Sequence, residues 1–367
     1  MEIKTYNSAQ LYELILSESF MRMPVVPIST HRAISHINNP RADEDDTLMI
    51  IAYENDEMIG YLGVLADTIF ANDGTALKCG WLSCMWVNPV LRGKGIAKQL
   101  LATAFRDWKD RILVTEFTPE AKGLYDRSGG FNDLRINHGL RCYLRFNLHE
   151  VLPKKSEKYK PYKSILKLGD SIANVPNAVR LSFSKPKLSG RISFEQINEV
   201  DDSIDAYISS KQNNGFERRT ATVLNWILKY PWLLQSVPTS ESERYHFSSV
   251  SERFLNLTYK LTEGAMVKGY LHFTIRDGQL KIPYAYFELE HLADVIEYIY
   301  VIMQEHKLSM LTVFHPEIVQ HFEKHSTPFI YLRAIRRHYI ISKLLDGHFT
   351  DRDQLMIQDG DADCAFT

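Results

Sequence analysis

The stretch Arg92-Gly93-Lys94-Gly95-Ile96-Ala97 constrains the fold more than any other part of the chain. An apolar run at 81–87 precedes it and reads as a strand. After it, Ile96, Ala97, Leu100, Leu101, Ala104, Phe105 and Trp108 recur at spacings of three and four, which places one apolar stripe along a helix. The glycines therefore fall where a strand turns into a helix. A helix start leaves its first N–H groups without partners, and the peptide dipoles add partial positive charge there. Small residues let a phosphate reach the main chain. Arg92 and Lys94 add whole charges. The corner reads as a diphosphate cradle.

Spacing excludes two common phosphate loops. No Ser or Thr follows a Gly-Lys pair as a Walker loop requires, and a Rossmann fingerprint needs a small residue where Lys98 stands. The stretch instead resembles the acyl-CoA motif of the GNAT N-acetyltransferases, Arg/Gln-x-x-Gly-x-Gly/Ala, filled here by Arg92, Gly95 and Ala97. The lead-in Val87-Asn88-Pro89-Val90-Leu91 is similar to that family's Val-x-Pro-x-x. About 30 residues on, Thr118-Pro119-Glu120 opens a second helix that ends at Gly129-Gly130-Phe131. This resembles the family's closing pattern Asn-x-x-Ala-x-x-Leu-Tyr-x-x-x-Gly-Phe through Ala121, Leu124, Tyr125 and Phe131. Thr118 stands for the Asn, and there is one extra glycine.

The resemblance covers residues 1–150, the expected GNAT catalytic domain, with the mixed twisted α/β sheet of that family. The residues give the same order: a helix over 11–19, a meander at 47–53, 58–70 and 76–87, the helix at 92–109, a strand at 112–117, the second helix, and a strand at 138–148. A strand–helix–strand crossover makes 76–87 and 112–117 parallel neighbours. A chain of 367 residues with 45% hydrophobic content can bury more than one core. A net charge of −2 supplies no field for nucleic acid or an anionic membrane. The four cysteines, Cys79, Cys84, Cys142 and Cys364, show no Cys-x-x-Cys spacing, so no metal is expected. With no apolar run near the roughly 18 residues of a membrane helix and no signal-like start, the expectation is a cytoplasmic protein without membrane or nucleic-acid partners.

The resemblance also implies a donor and a mechanism. In the family the two parallel strands splay, and the pantetheine arm of acetyl-CoA lies against the exposed edge, here Cys84-Met85-Trp86-Val87. The implied donor-binding residues are Trp86, Val87, Arg92, Gly93, Lys94, Gly95, Ile96 and Ala97. Tyr125 stands at the family's position for the acid that protonates the departing thiolate, and a phenol titrating near 10 keeps its proton at neutral pH. The base is less legible, because residues 76–87 contain no Asp or Glu. Glu54 and Glu116 are the candidates, Glu116 equally placed for an ion pair, and a water relay needs neither. Cys84, with no nearby His, reads as a small buried hydrophobe rather than a nucleophile.

Residues 151–190 read as a Pro/Lys-rich connector. From 191 to 367 the order of the first half returns: a helix at 218–228, strands at 254–261, 267–275 and 280–287, a helix at 289–306, a strand at 308–314, a helix at 317–324 and a strand from 331. This is expected to be a degenerate GNAT-like domain serving the acceptor site or structure. Its helix opens with Glu288-Leu289-Glu290, whose carboxylates repel a diphosphate. The stretch Arg218-Arg219-Thr220-Ala221-Thr222-Val223-Leu224-Asn225-Trp226 is similar to one in bacterial tandem acetyltransferases linked to surface polysaccharide. The tail Asp359-Gly360-Asp361-Ala362-Asp363 reads as an acidic final strand or an acceptor-pocket wall. The expected activity is acetyl transfer to a primary amine of a small acceptor, an amino sugar among the candidates. A non-catalytic acyl-CoA sensor and a Fem-like aminoacyl transferase are the alternatives. Acceptor, acyl length and oligomeric state are left open.

Overall fold

The computed structural model describes residues 1–184 and 186–366; Lys185 and Thr367 lie outside it, as does the side chain of Lys154. The chain opens with β1 (Glu2–Tyr6), α1 (Ser8–Leu16), α2 (Glu18–Arg22) and α3 (Thr30–Ile37). The helix expected over 11–19 stops at Leu16 because Ser17 caps the next one, its hydroxyl accepting from the Phe20 N–H. The meander is β2 (Met49–Glu54), β3 (Glu57–Phe70) and β4 (Ala76–Val87). Then come α4 (Ile96–Asp107), β5 (Ile112–Thr115), α5 (Pro119–Ser128) and β6 (Phe131–Tyr143). Where a connector was expected stand α6 (Leu148–Lys155) and α7 (Lys163–Phe183). Next are β7 (Ser193–Ile197), α8 (Asp202–Lys211), α9 (Ala221–Lys229), and the short β8 (Leu234–Gln235) and β9 (Val250–Ser251). The later half runs β10 (Phe254–Glu263), β11 (Met266–Arg276), β12 (Gln279–Phe287), α10 (Leu292–Glu305), β13 (Met310–Val313), α11 (Pro316–Lys324), β14 (Tyr331–Ser342) and α12 (Lys343–Asp346).

The chain divides into two compact units, and they are not its sequential halves. The first holds residues 1–137, 197–254 and those from 337 onward; the second holds 138–196 and 255–336. The division expected from sequence, at 1–150, 151–190 and 191–367, therefore differs from the compact units. The exchange happens inside two strands. Residues 138–143 of β6 belong to the second unit, and residues 337–342 of β14 to the first. The reason is local. β5 is only four residues long and would leave an open edge; Tyr339, Ile340 and Ile341 of β14 pair antiparallel with its Thr115, Val114 and Leu113. β13 is completed in the same way, by Leu140, Arg141, Cys142 and Tyr143 of β6.

In the first unit the strand order is β1-β2-β3-β4-β5-β14, antiparallel except for the β4–β5 pair. Leu100, Leu101 and Ala104 of α4, with Trp108 at its C-cap, pack with Leu82 and Ile112 on one face. Successive strand residues point to opposite faces, so Trp81 lies on the other, edge-on to Phe216 and Tyr339 at 6.3 Å each. Close to the end of the described residues, Phe366 stacks on Trp232 at 4.4 Å.

The second unit has the order β6-β13-β12-β11-β10-β7, with β12 and β13 parallel. It repeats the meander, helix, strand, helix, strand sequence. Ile296, Ile299 and Met303 of α10 pack with Leu271, Phe273 and Leu311. Together the elements make a mixed α/β protein of the GNAT fold type with a second, GNAT-like half.

Gly80 shows how tightly α4 sits on the first sheet. A Cβ there would lie 2.7 Å from the Trp108 ring and 2.6 Å from Val64. Trp108 cannot swing aside freely, because its indole N–H donates to the Thr47 carbonyl at 3.0 Å. Gly80→Ala should cost about 1–3 kcal/mol through overpacking, read as a lowered urea midpoint with an unchanged m-value.

Candidate active site

The strand–helix corner has the predicted form. Gly95 caps α4 at φ +81° and Gly93 has φ +86°, both in the left-handed region that glycine alone enters freely. A Cβ at either position would meet nothing within 4 Å, so the space beside them is open. The Gln99 N–H donates to the Gly95 carbonyl at 3.1 Å, which leaves the amides of Ile96, Ala97 and Lys98 ahead of the first intrahelical bond.

These residues form one end of a cleft of about 1090 Å³. Gly93, Gly95, Ile96 and Ala97 line it with main chain and small side chains. Arg92, Lys98, Arg127 and Lys343 bring four cations against one carboxylate, Asp110. Leu101, Phe105 and Leu124 make the walls apolar. An apolar trough with a cationic rim and free amides at one end suits a long ligand with an anionic head. Of the predicted donor contacts, Val87, Arg92, Gly93, Gly95, Ile96 and Ala97 line the cleft. Lys94 is exposed beside it and does not line it. Trp86 stacks between Tyr61, at 5.5 Å, and His246, at 4.7 Å. Arg127 and Lys343 were missed. Arg127 sits within the closing pattern, but no local signal points to Lys343, which β14 delivers from far along the chain.

Beside the cleft the parallel pair comes apart. β4 and β5 are in register at Gly80, Trp81 and Leu82 with Ile112, Leu113 and Val114. β5 ends at Thr115 and Glu116 turns away at φ +51°, whereas β4 runs on to Val87. β4 also bulges: Tyr61 pairs with Trp86 and Gly63 with Ser83, so two steps on β3 oppose three on β4. Cys84 takes the strained φ of +56° in that bulge. Its sulfur accepts from Arg32 Nη1 at 2.7 Å, while Arg32 Nη2 donates to Ser83 Oγ at 2.8 Å. Cys84 is thus a partner of a guanidinium, half-buried, as well as part of the packing.

Tyr125 is 3% exposed, with its ring edge-on to Phe117 at 5.9 Å and to Phe131 at 5.4 Å. Burial pushes its phenol further up, and its hydroxyl has no hydrogen-bond partner among the described residues. Glu116 stands at the lip of the split, 2.9 Å from Arg337 Nη2. Glu54 closes the β2–β3 hairpin opposite Glu57 and lines a separate shallow recess with Met1, Glu2 and Tyr53. The structure does not bring Glu54 together with the cleft residues. It does bring Asp363 to the split, where the Ser83 hydroxyl donates to its carboxylate. Burial, joined by the Glu116 charge, raises the Asp363 pKa. Sequence reading marked the acidic tail but not this carboxylate.

A second set of buried charges anchors the tail. Asp67 accepts from Arg41, and from Arg219 at 3.1 Å; Arg219 also binds Glu217, whose carboxylate accepts the Ala362 N–H at 3.0 Å. Against the cost of burial, Arg219 and Arg41 hold Asp67 below the usual carboxylate range. Asp361 is less well served, with the Gln358 N–H at 2.9 Å and Arg219 Nε only at 3.7 Å. Two guanidiniums face three carboxyls here, and Asp361 is the one whose protonated form is favoured: burial raises it to about 7. The stretch 218–226 is thereby spent on structure, with Arg219 2% exposed and Trp226 6% exposed.

Residues 9–131 match the Acetyltransferase (GNAT) family. The matched segment carries the corner, the split and α5, whereas Lys343 and Asp363 reach the site from outside it. The chain's fold is similar to that of a GCN5-related N-acetyltransferase from Anabaena variabilis ATCC 29413, at 12% identity over 92% of this chain and 72% of that one, with a TM-score of 0.51. It is similar as well to a conserved protein of unknown function from Enterococcus faecalis V583, a probable N-acyltransferase, at 12% identity over 94% and 73%, TM-score 0.53. A tandem GNAT protein from the clavulanic acid biosynthesis pathway aligns over 93% of this chain and 98% of its own, at 12% identity and a TM-score of 0.46. At such identity the first two likenesses concern the fold alone. No curated protein matches the chain. Among the described residues, no helix is long and apolar enough to cross a membrane.

The proton on Asp361 has a thermodynamic consequence. A carboxyl raised to about 7 contributes stability that is full below its unfolded value, 3.8, and is lost as pH climbs through about 7. Melting by calorimetry should therefore fall from about pH 6 to about pH 8.5. Asp361→Asn, fixed in the neutral form, should flatten that slope and melt higher than the parent at the upper pH. A variant that melts lower there would contradict the assignment of the proton.

Proposed function

We propose that the protein is an acetyl-CoA-dependent N-acetyltransferase acting on the primary amine of a small acceptor. The observation that supports this most is the glycine-bounded start of α4 opening a four-cation cleft beside the split between β4 and β5. Acetyl-CoA, as substrate, supplies the acyl thioester. The free amides of Ile96 to Lys98, with Arg92 and Lys98, hold a diphosphate. The strand edge from Ser83 to Val87 offers main-chain groups to a pantetheine arm. One of its N–H groups directed at the thioester oxygen would be worth about 2.7–4 kcal/mol in the transition state. Asp363 takes the proton that the amine loses as its nitrogen bonds to the acyl carbon. Tyr125 gives its phenolic proton to the sulfur as the C–S bond breaks, and regains one from solvent. Arg337 keeps Glu116 in an ion pair, so Glu116 is the reserve base, and Glu54 has no part. Amino sugars stay in the acceptor panel on sequence resemblance alone.

Two measurements test the reading. Gly95→Asp puts a side chain on a left-handed backbone and a charge against the diphosphate; CoA binding by calorimetry should weaken at least ~100-fold, about 2.7 kcal/mol. Thiol release across a panel of amines should show turnover. There, Asp363→Asn and Tyr125→Phe should each lower kcat by roughly 10²–10⁴-fold while leaving the CoA dissociation constant unchanged. Tight CoA binding with no release for any amine would favour the sensor alternative instead.

A further inference from the structure

Helix α7, in the second unit, is built inside out. Apart from Leu181, its buried side is polar. Asp170 accepts from the His149 N–H at 2.9 Å, Asn174 from the Phe146 N–H at 3.0 Å, and Asn177 donates to the Leu144 carbonyl at 2.9 Å. Its outward side is apolar. Ile165, Leu168, Ile172, Val175, Val179 and Phe183 are 56–87% exposed. Their steps of three, four, three and four residues, continued one turn on by Phe183, draw one unbroken stripe along the helix.

The stripe is large. From those exposures the six side chains present on the order of 700 Å² of apolar surface, beyond the roughly 300–600 Å² of the largest patch on a typical monomer. It is close to the ~800 Å² that each partner buries in a standard interface.

We propose that this stripe is the seam of a homodimer, α7 packing on α7 of a second copy. Three observations favour a second copy. Alternating three- and four-residue steps are the pattern in which an identical helix supplies knobs for the first one's holes, and an isologous pair needs one self-complementary patch. Gly169 stands on the stripe's edge, three residues before Ile172, where a Cβ would meet nothing within 4 Å. Packing inside the chain does not require a glycine there, and glycine weakens a helix interior; close approach of another backbone accounts for it. Charge speaks against a lipid surface. Helices that lie on membranes carry a row of Lys and Arg along the polar face. Here Asp170, Asn174 and Asn177 occupy the middle of that face and bond inward, and of its exposed cations Lys163, Lys167 and Arg180, Arg180 is tied to Asn177 and the Pro328 carbonyl. Lys163, on the side away from the stripe, pairs with Glu150 at 2.9 Å, and Ser164, Ser171 and Ser182 flank the seam. Pro176 lies inside the helix near the seam's middle and removes one backbone donor there, which favours a short crossing over a long coiled coil.

The test uses the full chain in sedimentation equilibrium and in flotation with anionic phosphatidylserine vesicles. The wild type should be dimeric at low micromolar concentration and stay unbound to vesicles. Ile172→Glu should raise the dimer dissociation constant at least ~100-fold, with circular dichroism and CoA binding unchanged because the side chain is exposed on the single chain, and with melting lowered only to that of the dissociated chain. Ile172→Lys should do the same, and mixing the two variants should restore a dimer. A monomeric wild type, flotation of that monomer with the vesicles, or a dimer that Ile172→Glu leaves intact would each overturn the proposal.

Discussion

A main-chain ladder that stops early is the constraint behind the first unit. β4 and β5 share three registered pairs and then separate. Two residues with unfavourable backbone angles form the lips of the gap, Cys84 on β4 and Glu116 after β5. Each such residue costs on the order of 1–3 kcal/mol and persists only where its surroundings fix it. The surroundings are alike on both sides. Arg32 grips Cys84 and its neighbour Ser83, and Arg337 grips Glu116. Both guanidiniums are buried, at 4% and 6% exposure, so neither can leave its partner without stranding a charge. The gap is held open from two sides by the same chemistry.

Buried arginines need polar partners, and the tail supplies carboxyl groups beside three of them. Asp359 pairs with Arg337, Asp363 lies against Ser83 beside Arg32, and Asp361 completes the set around Arg219. Alternate acidic residues, which read as an acidic final strand or an acceptor-pocket wall, each lie near a different arginine: Asp359 pairs with Arg337, Asp361 is 3.7 Å from Arg219, and Asp363 accepts from Ser83, itself bonded by Arg32. A buried charge pair is a weak source of net stability. Its effect here is positional: these contacts fix residues 359–363, with Asp363 set against Ser83 of β4.

The corner at residues 92–97 was legible because its information is local. Glycines with positive φ, an apolar stripe of helical period and two cations all sit within one turn of each other. The meander and the parallel pair were legible for the same reason, and so was the lack of glycine at the second unit's corner, where Leu289 and Glu290 stand exposed. The strand exchange was not. Both halves carry the same element order, so residues 131–148 pair equally well on paper with their own half. Lys343 and Asp363 became visible only with that exchange. α6 and α7 were hidden by Pro153, Pro161 and Pro176, read as breakers, although α6 and α7 each carry an internal proline. α3 was hidden because it buries Arg32, Ser35 and His36 rather than an apolar stripe.

The exchange of β14 also sets the order in which the chain can mature. Leu113, Val114 and Thr115 wait for a partner that is translated more than 200 residues later. At roughly 5–20 residues per second, that is about ten to forty-five seconds with an apolar strand edge unpaired on a nascent chain. The second unit, whose residues end at 336, has emerged before the first receives its last strand. The half with the cleft, begun first on the ribosome, is the half finished last, and holding chaperones would meet it at β5.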